Sequence, residues 1–385
     1  MLNQAVILCG GLGSRLGKLT SKTPKPLLKV NKKPFIEYQI ENLARHYIKK
    51  IFLICCYKSY LFNKKYHNKK IKNAEIICID EKTPLGTGGG LMLIKNKLDT
   101  NFLVLNGDTI FDINYLDFYN KSKKSFYLSI AVTNNLGKRY DGINNSKLRK
   151  NAGVYLCNKK IFRYYDKKVI SLEKDIFPKL SKIKKIQTIF YEKDKHNFLD
   201  IGIPSDFKLS HRKIIKSHLR PAAFLDRDGV INEDYGYVHK ISNFKWKNGI
   251  FELIKFFNDI NYLVFVISNQ SGIGRGYYSK KVVDTLHNWV QNQLNKKGSH
   301  IDKFYIAPYY WRNKKYTLRD KKLRKPNTGM IDLALKEWKI DKKRSIIIGD
   351  QESDRMLAQK SNIKFYKIDS RNTIKNIIKK LKSNK

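Results

Sequence analysis

Ala5-Val-Ile-Leu-Cys-Gly-Gly-Leu-Gly-Ser-Arg15 and Ala222-Ala-Phe-Leu-Asp-Arg-Asp-Gly-Val-Ile-Asn232 decide the fold. Each is a short apolar run that passes straight into a loop of reactive composition, glycines in the first and aspartates in the second. A strand that feeds a polar loop at its carboxyl end is how open α/β sheets place their sites. Two such openings in one chain predict two α/β domains. The flanking segments agree. Ile51–Tyr57, Ala74–Ile79 and Phe102–Leu105 read as buried strands, and Phe35–His46 reads as a helix. Tyr262–Ile267 and Ser345–Ile348 repeat the strand pattern in the second half, where Lys281–Asn295 and Gly329–Trp338 look helical. Between the halves lies Lys208–Arg220, basic and poor in large apolar residues, closed by Pro221. The expected domains are therefore 1–215 and 216–385, which suits a chain of 385 residues.

Charge raises a different possibility. Lys and Arg total 78 against 33 Asp and Glu, a net charge of +45. A surplus of this size can serve nucleic acid, an anionic membrane or small anionic substrates. The lysine pairs, however, are scattered from Lys32–Lys33 to Lys379–Lys380 rather than gathered in a tail, the pattern of a solvated surface. No apolar run approaches the ~20 residues of a membrane span. The glycine loop begins at Cys9, which leaves no room before it for a signal peptide. Five cysteines (Cys9, Cys55, Cys56, Cys78 and Cys157) form no CxxC pair, and idle thiols in a reducing cytoplasm are the simplest account.

The first loop carries Gly10, Gly11 and Gly13, which free the backbone to turn tightly and aim N–H groups at an anion. Arg15 and Lys25 add fixed positive charge after it. Leu103-Val-Leu-Asn-Gly-Asp108 ends a buried strand in an acid, and Phe198-Leu-Asp-Ile-Gly202 puts Asp200 in a similar position. Two carboxylates at strand ends beside a phosphate loop suit a Mg²⁺-nucleotide site.

Together with Thr23-Pro-Lys-Pro26, Pro84-Leu-Gly-Thr-Gly-Gly89, Asn151-Ala-Gly-Val-Tyr155 and Ser171-Leu-Glu-Lys-Asp-Ile-Phe-Pro178, these pieces resemble the sugar-1-phosphate nucleotidyltransferase family, in particular its heptose-1-phosphate guanylyltransferase branch. The resemblance implies a Rossmann-like (GT-A-like) domain. It implies a nucleotide held by Leu8, Gly10, Gly11, Gly13, Gly86, Thr87 and Asp108, and Mg²⁺ on Asp108 and Asp200. Arg15 and Lys25 would stabilise phosphate charge, while Glu173 and Asn151 would meet the sugar. One block departs from the family. Its Phe-x-Glu-Lys strand is compressed here to Tyr140–Lys150, where Arg149 or Lys150 is the available substitute; an inactive transferase domain is the alternative this leaves open.

The second loop places Asp226 and Asp228 at i and i+2 after a strand. Val264-Phe-Val-Ile-Ser-Asn-Gln-Ser271 ends another strand in hydroxyl and amide donors, Leu323-Arg-Lys-Pro326 supplies two cations, and Ile346-Ile-Ile-Gly-Asp350 ends a third strand in an acid, with Asp354 one helical turn on. In this order they resemble the haloacid-dehalogenase (HAD) superfamily and, within it, the D-glycero-D-manno-heptose 1,7-bisphosphate phosphatases. That resemblance implies a HAD-like Rossmannoid domain. Asp226 would be the nucleophile, Asp228 the general acid and base, and Ser268 and Lys325 the holders of the transferring oxygens. Mg²⁺ would sit on Asp226, Asp350 and the backbone carbonyl of Asp228. Asp234, Tyr235, Gly236, Tyr237, Asn269, Gln270, Ser271, Arg324 and Gln351 would contact substrate, with Arg324 at the second phosphate. The family's Cys-x-His…Cys-x-Cys zinc loop is represented only by Ala307, Tyr309, Lys321 and Leu323, so no zinc is expected.

The two resemblances imply consecutive steps. Removing the 7-phosphate from a heptose bisphosphate leaves a sugar 1-phosphate, which the first domain would join to a nucleotide, for surface polysaccharide or lipopolysaccharide. Two rival readings keep other substrates or partners. One retains both chemistries on another sugar phosphate or on histidinol phosphate. The other is a basic nucleic-acid-binding protein, against which stand the five acids Asp108, Asp200, Asp226, Asp228 and Asp350. The expected partners are small phosphorylated sugars and a nucleoside triphosphate, with no nucleic acid and no membrane.

Overall fold

The computed structural model describes residues 2–134, 142–143, 146–192 and 196–383. The Arg149 side chain lies outside the described residues, whereas Lys150 is half-buried on the strand Ser146–Asn158. The chain divides into two compact units, 1–217 and 218–385.

The first unit is built on a nine-stranded sheet. Gln4–Leu8 lies at its centre, parallel to Lys50–Cys55 on one side and to Asn101–Asn106 on the other, and Ala74–Asp80 continues the parallel set. Beyond Asn101–Asn106 the long strand Ser146–Asn158 runs antiparallel and joins Leu128–Thr133 and Ile186–Phe190. Side chains of the central strand alternate between two cores. Ala5 and Ile7 enter one with Ile51 and Leu53, while Val6 enters the other with Phe52, Val104 and Tyr155. Burial on both faces is why these strands read as unbroken apolar runs. The helix Phe35–Arg45 follows Pro34 and covers one face with Ile36, Ile40, Leu43 and Ala44, positions spaced along one helical stripe.

The order of the parallel strands reverses at Gln4–Leu8, so the loops after Leu8 and after Asn106 open together. A backbone bond ties them, Gly107 N–H donating to Leu8 O at 3.0 Å, while Cys9 N–H donates to Ile54 O on the other neighbouring strand at 2.8 Å. A Cβ on Gly107 would stand 2.6 Å from that Leu8 oxygen, so only glycine lets the two strand ends close. A two-stranded ribbon then pairs Phe198–Asp200 antiparallel with Thr109–Phe111 and sets Asp200 opposite Thr109. This ribbon brings Asp200 to Asp108 from 92 positions away in the chain.

The second unit has five parallel strands in the spatial order Lys303–Ala307, Leu263–Asn269, Ala222–Leu225, Ile346–Gly349, Lys364–Lys367. Ala223 and Leu225 face one core and Ala222 and Phe224 the other. The switch point lies between Ala222–Leu225 and Ile346–Gly349, the crevice where doubly wound sheets bind ligands. Asp226 and Asp350 are the residues next after these two strands. Helices Lys280–Lys296 and Gly329–Glu337 flank the sheet; the first is capped by Ser279, whose hydroxyl accepts from Val282 N–H. The structured strands exceed the sequence reading mainly at their ends, as in Leu263–Asn269, where pairing with Lys303–Ala307 keeps Ser268 and Asn269 in the ladder.

Candidate active sites

In the first unit the strand ends open into a cavity of about 320 Å³. Leu8, Gly10, Gly11, Gly13, Lys25, Gly86, Thr87 and Asp108 all line it. Gly13 has φ +67°, and the Thr20 hydroxyl closes the glycine loop by donating to Gly13 O at 3.0 Å. Lys25, only 8% exposed, pairs with Asp108 at 2.5 Å. Thr109 Oγ1 lies 3.1 Å from Asp108 Oδ1 and 3.4 Å from Asp200 Oδ2, so its single hydroxyl proton is shared between the two acids. Two carboxylates beside a cavity are the usual protein share of a Mg²⁺ site, whose remaining ligands are water and substrate phosphate. Arg15, by contrast, is exposed on the turn after the glycine loop and is not among the lining residues.

Glu173 does not line the cavity but is tied to its wall. Its carboxylate accepts from the hydroxyls of Thr87 at 2.7 Å, Ser171 at 3.1 Å and Tyr155 at 3.0 Å. Burial and the neighbouring carboxylate push the Tyr155 phenol up, which keeps it a donor. Asn151 reaches the same group, donating to Tyr155 Oη at 2.8 Å. Sequence reasoning passed over Glu81. It lies one residue past the strand Ala74–Asp80, lines the cavity and is 8% exposed. No hydrogen bond to its carboxylate occurs among the described residues. Burial pushes it up to about 7. Glycines make its room: a Cβ on Gly10 would lie 2.8 Å from Glu81 Oε2, and one on Gly90 would clash with Oε1. An acid at a strand's carboxyl end was the available signal.

The second site centres on Lys325. Its Nζ stands 2.7 Å from Asp226 Oδ1 and 2.7 Å from Asp354 Oδ1, with all three side chains buried. Burial works to discharge this ammonium, but Asp226 and Asp354 outweigh it and hold the group charged. Burial likewise pushes Asp226 up, Lys325 opposing and Asp354 and Asp228 assisting. Asn269 fixes the Lys325 backbone, accepting from its N–H at 2.9 Å and donating to its carbonyl at 3.2 Å.

Asp226, Asp350 and Asp354 bring carboxylate oxygens within 4.8 Å of one another. Lys325 offsets one of these charges. Asp350 Oδ1 is buried with no hydrogen-bond partner among the described residues, so the donor set fits a hard divalent cation. Gly229, at φ +87°, admits Asp350, whose Oδ2 a Cβ there would overlap. Asp228, whose charge acts on Asp226, has its own set of partners. It accepts from the buried Arg227 at 2.8 Å, from Asn232 at 3.0 Å and from Gln270 at 3.1 Å. Gln270 is itself buried; it also donates to Ser268 Oγ at 2.9 Å and accepts from Tyr278 at 3.0 Å, so it orients the site from behind.

The other expected residues surround this centre. Asp234 accepts from Gly236 N–H at 2.9 Å, closing a turn that exposes Tyr235 and Tyr237. Gln351 donates to Asp350 Oδ2 at 2.9 Å, and Ser271 opens the short helix after the Ser268 loop. Of the positions that correspond to zinc ligands, Ala307 is buried in its strand and Lys321 and Leu323 lie on the helix Leu318–Leu323.

The first unit is thus a nucleotide site at a sheet switch point, and the second an aspartate-based phosphoryl site. Family models agree: residues 4–139 match Nucleotidyl transferase, and residues 223–379 match Polynucleotide kinase 3 phosphatase. A D-glycero-alpha-D-manno-heptose-1,7-bisphosphate 7-phosphatase of Photorhabdus laumondii is 39% identical over 40% of this chain and 82% of its own length. A D-glycero-alpha-D-manno-heptose 1-phosphate guanylyltransferase of Campylobacter jejuni is 34% identical over 53% of this chain and 96% of its own. The crystal structure of HddC from Yersinia pseudotuberculosis is 28% identical with a TM-score of 0.46, covering 55% of this chain and all of that one. The chain belongs to both families, joining a sugar-phosphate nucleotidyltransferase to a HAD-type heptose-bisphosphate phosphatase.

All four tryptophans (Trp246, Trp289, Trp311 and Trp338) lie in the second unit, so their fluorescence reports its unfolding alone. Mg²⁺ at a hundredfold excess over its Kd is expected to stabilise that transition by about 2.7 kcal/mol. Asp350→Asn should abolish the stabilisation, and an undiminished response in this variant would contradict the assignment.

Proposed function

We propose that the chain carries out two consecutive steps toward a nucleotide-activated heptose in the cytoplasm: removal of the 7-phosphate from D-glycero-D-manno-heptose 1,7-bisphosphate, then guanylyl transfer to the resulting heptose 1-phosphate. The observation that carries this is the pairing itself. One chain holds two sites whose relatives are named for reactions in which the product of one is the substrate of the other. Phosphatase relatives are named for both anomers, but the transferase relative is named for the α form. The α-bisphosphate is therefore the form that lets both sites act in series. A nucleotide-activated heptose is a building block for lipopolysaccharide or another surface glycan.

In the second unit Asp226 attacks the phosphorus of the 7-phosphate, forming an aspartyl phosphate as the bond from phosphorus to the sugar oxygen breaks. Lys325 and Ser268 hold the transferring oxygens. Asp228, kept beside the nucleophile by Arg227, Asn232 and Gln270, gives its proton to the leaving alkoxide. It then takes one from the water that attacks the acyl phosphate, releasing inorganic phosphate and restoring Asp226. In the first unit an oxygen of heptose 1-phosphate attacks the α-phosphorus of the nucleotide, and pyrophosphate leaves. Lys25 and the N–H groups of the glycine loop steady the phosphates, and the work is orientation and charge. Asp226, Asp350 and the Asp228 carbonyl in one unit, and Asp108 and Asp200 in the other, would hold Mg²⁺, which would reduce repulsion between carboxylates and phosphates.

Glu81 supports guanine as the base. An ionised carboxylate accepts two hydrogen bonds at once, and guanine alone among the common bases offers the adjacent N1–H and N2–H₂ donors. The protonated acid cannot accept both. Affinity for GTP should therefore be present above pH 7 and fall as pH drops through about 7, where Glu81 takes up its proton. The KM for GTP should rise by up to tenfold per pH unit below that point. Glu81→Gln should weaken GTP and remove this pH dependence; a variant profile that parallels the wild type would contradict the role.

The two sites should also separate by mutation. Asp226→Asn is expected to abolish phosphate release and leave pyrophosphate release from heptose 1-phosphate intact. Asp108→Asn should do the reverse, with a loss of at least a hundredfold in transferase kcat/KM (about 2.7 kcal/mol). Loss of both activities from either change in a folded protein would overturn the two-site scheme.

A further inference from the structure

We propose that Arg275 is a second guanidinium of the pocket for the substrate's distal phosphate, the one not removed, and that Tyr310 positions it there. This rests on the bisphosphate reading above. Arg324 precedes Lys325, whose Nζ touches Asp226, while Arg275 follows the Ser268–Ser271 loop four residues on. Arg275 lies just past the strand Leu263–Asn269, and Arg324 just past the helix Leu318–Leu323, which packs on the neighbouring strand Lys303–Ala307, so the two stand on adjacent elements at the loop end of the sheet. Neither has a carboxylate partner among the described residues, and Arg324 Nη1 is buried without any hydrogen-bond acceptor. Arg227, Arg344 and Arg355 of this unit, by contrast, each pair with a carboxylate, on Asp228, Asp341 and Glu352 respectively. Burial lowers Arg324, and the charge on Arg275 lowers it further, a strain that a bound anion relieves. A dianionic phosphate monoester supplies the charge and enough oxygens for two forked donors.

Arg275 is held in place by packing. Its Cζ lies 4.1 Å from the centre of the Tyr310 ring. The preceding residue leaves no slack: a Cβ on Gly274 would meet Tyr310 Cβ at 2.8 Å and overlap the Pro308 carbonyl. Asn313 Nδ2 donates to Gly274 O at 2.7 Å and ties the far side of the same loop to this backbone. Tyr310 and Asn313 belong to the segment between Ala307 and Leu323, to which the family resemblance assigns zinc ligands and where Ala307, Tyr309, Lys321 and Leu323 stand instead. Aromatic stacking and one amide bond do the bracing in this chain. Tyr237 and Tyr277, ring centres 5.1 Å apart, stand edge to face beside the pair, and Tyr237 contributes to the field at Arg324.

The test compares two substrates, heptose 1,7-bisphosphate and heptose 7-phosphate, which lacks the distal group. Arg275 is exposed, so Arg275→Ala should fold normally. With the bisphosphate its kcat/KM should fall roughly 10- to 100-fold, mainly through KM, the loss expected for a charge-assisted hydrogen bond. With heptose 7-phosphate it should match the wild type. Tyr310→Leu should give a smaller loss, again with the bisphosphate only. Equal losses with both substrates, or no loss with the bisphosphate, would overturn the role of Arg275 while leaving the phosphatase reading standing. A wild type that turns over both substrates equally well would overturn the bisphosphate reading and this proposal together.

Discussion

The contact between Lys325 Nζ and two aspartates, Asp226 and Asp354, is the constraint on which the second unit is arranged. Burying one ammonium and three clustered carboxylates is costly unless each charge finds partners, and removing one member of such a pair typically costs about 3–5 kcal/mol. The surrounding structure is fitted to that demand. Asn269 clamps the Lys325 backbone, Gly229 makes room for Asp350, and Gly349 makes room for Asp354. The remaining negative charge is what a divalent cation needs on arrival, and Lys325 is the positive charge left to meet a phosphoryl oxygen. The first unit uses the same device on a smaller scale. Lys25 pairs with the strand-end Asp108, and Thr109 couples that acid to Asp200.

Those strand ends were legible in the sequence because their signals are local. Ala5–Leu8 and Ala222–Leu225 are apolar on both faces and run at once into glycines or aspartates, so strand and site appear in one window. Asp226, Asp350, Asp108 and the lining glycines follow from that pattern. What sequence reasoning could not supply are side chains whose roles arise from long-range packing. Asp354 looks like an ordinary first-turn acid until the fold brings Lys325 to it. Glu81 becomes a cavity wall only because Gly10 and Gly90 stand against it. Gln270 and Asn269 read as donors toward a ligand, yet they are spent on Asp228, Ser268 and the Lys325 backbone. Arg15 read as a phosphate cation and is exposed off the cavity. Arg275 sits in the Ser268–Gly276 block that carries the phosphatase resemblance, but its contact with Tyr310 appears only in the fold.

The charge of +45 takes a different meaning from these sites. Only a few cations, among them Lys25, Lys325, Arg324 and Arg275, face the proposed ligands. The rest, scattered along the chain as lysine pairs, read as solvated surface. Joining both sites in one chain delivers the sugar 1-phosphate where its consumer is present in equal amount, with no separate expression to balance.

The most direct test of the central claim, two consecutive steps in one chain, is a single incubation. The intact protein is supplied with α-heptose 1,7-bisphosphate, Mg²⁺ and GTP, and phosphate and pyrophosphate are followed in time. Phosphate should appear first and pyrophosphate after a lag, approaching one for one as a guanylylated heptose accumulates. Pyrophosphate that forms without a lag, or phosphate release with no pyrophosphate even when GTP is in excess, would contradict the account.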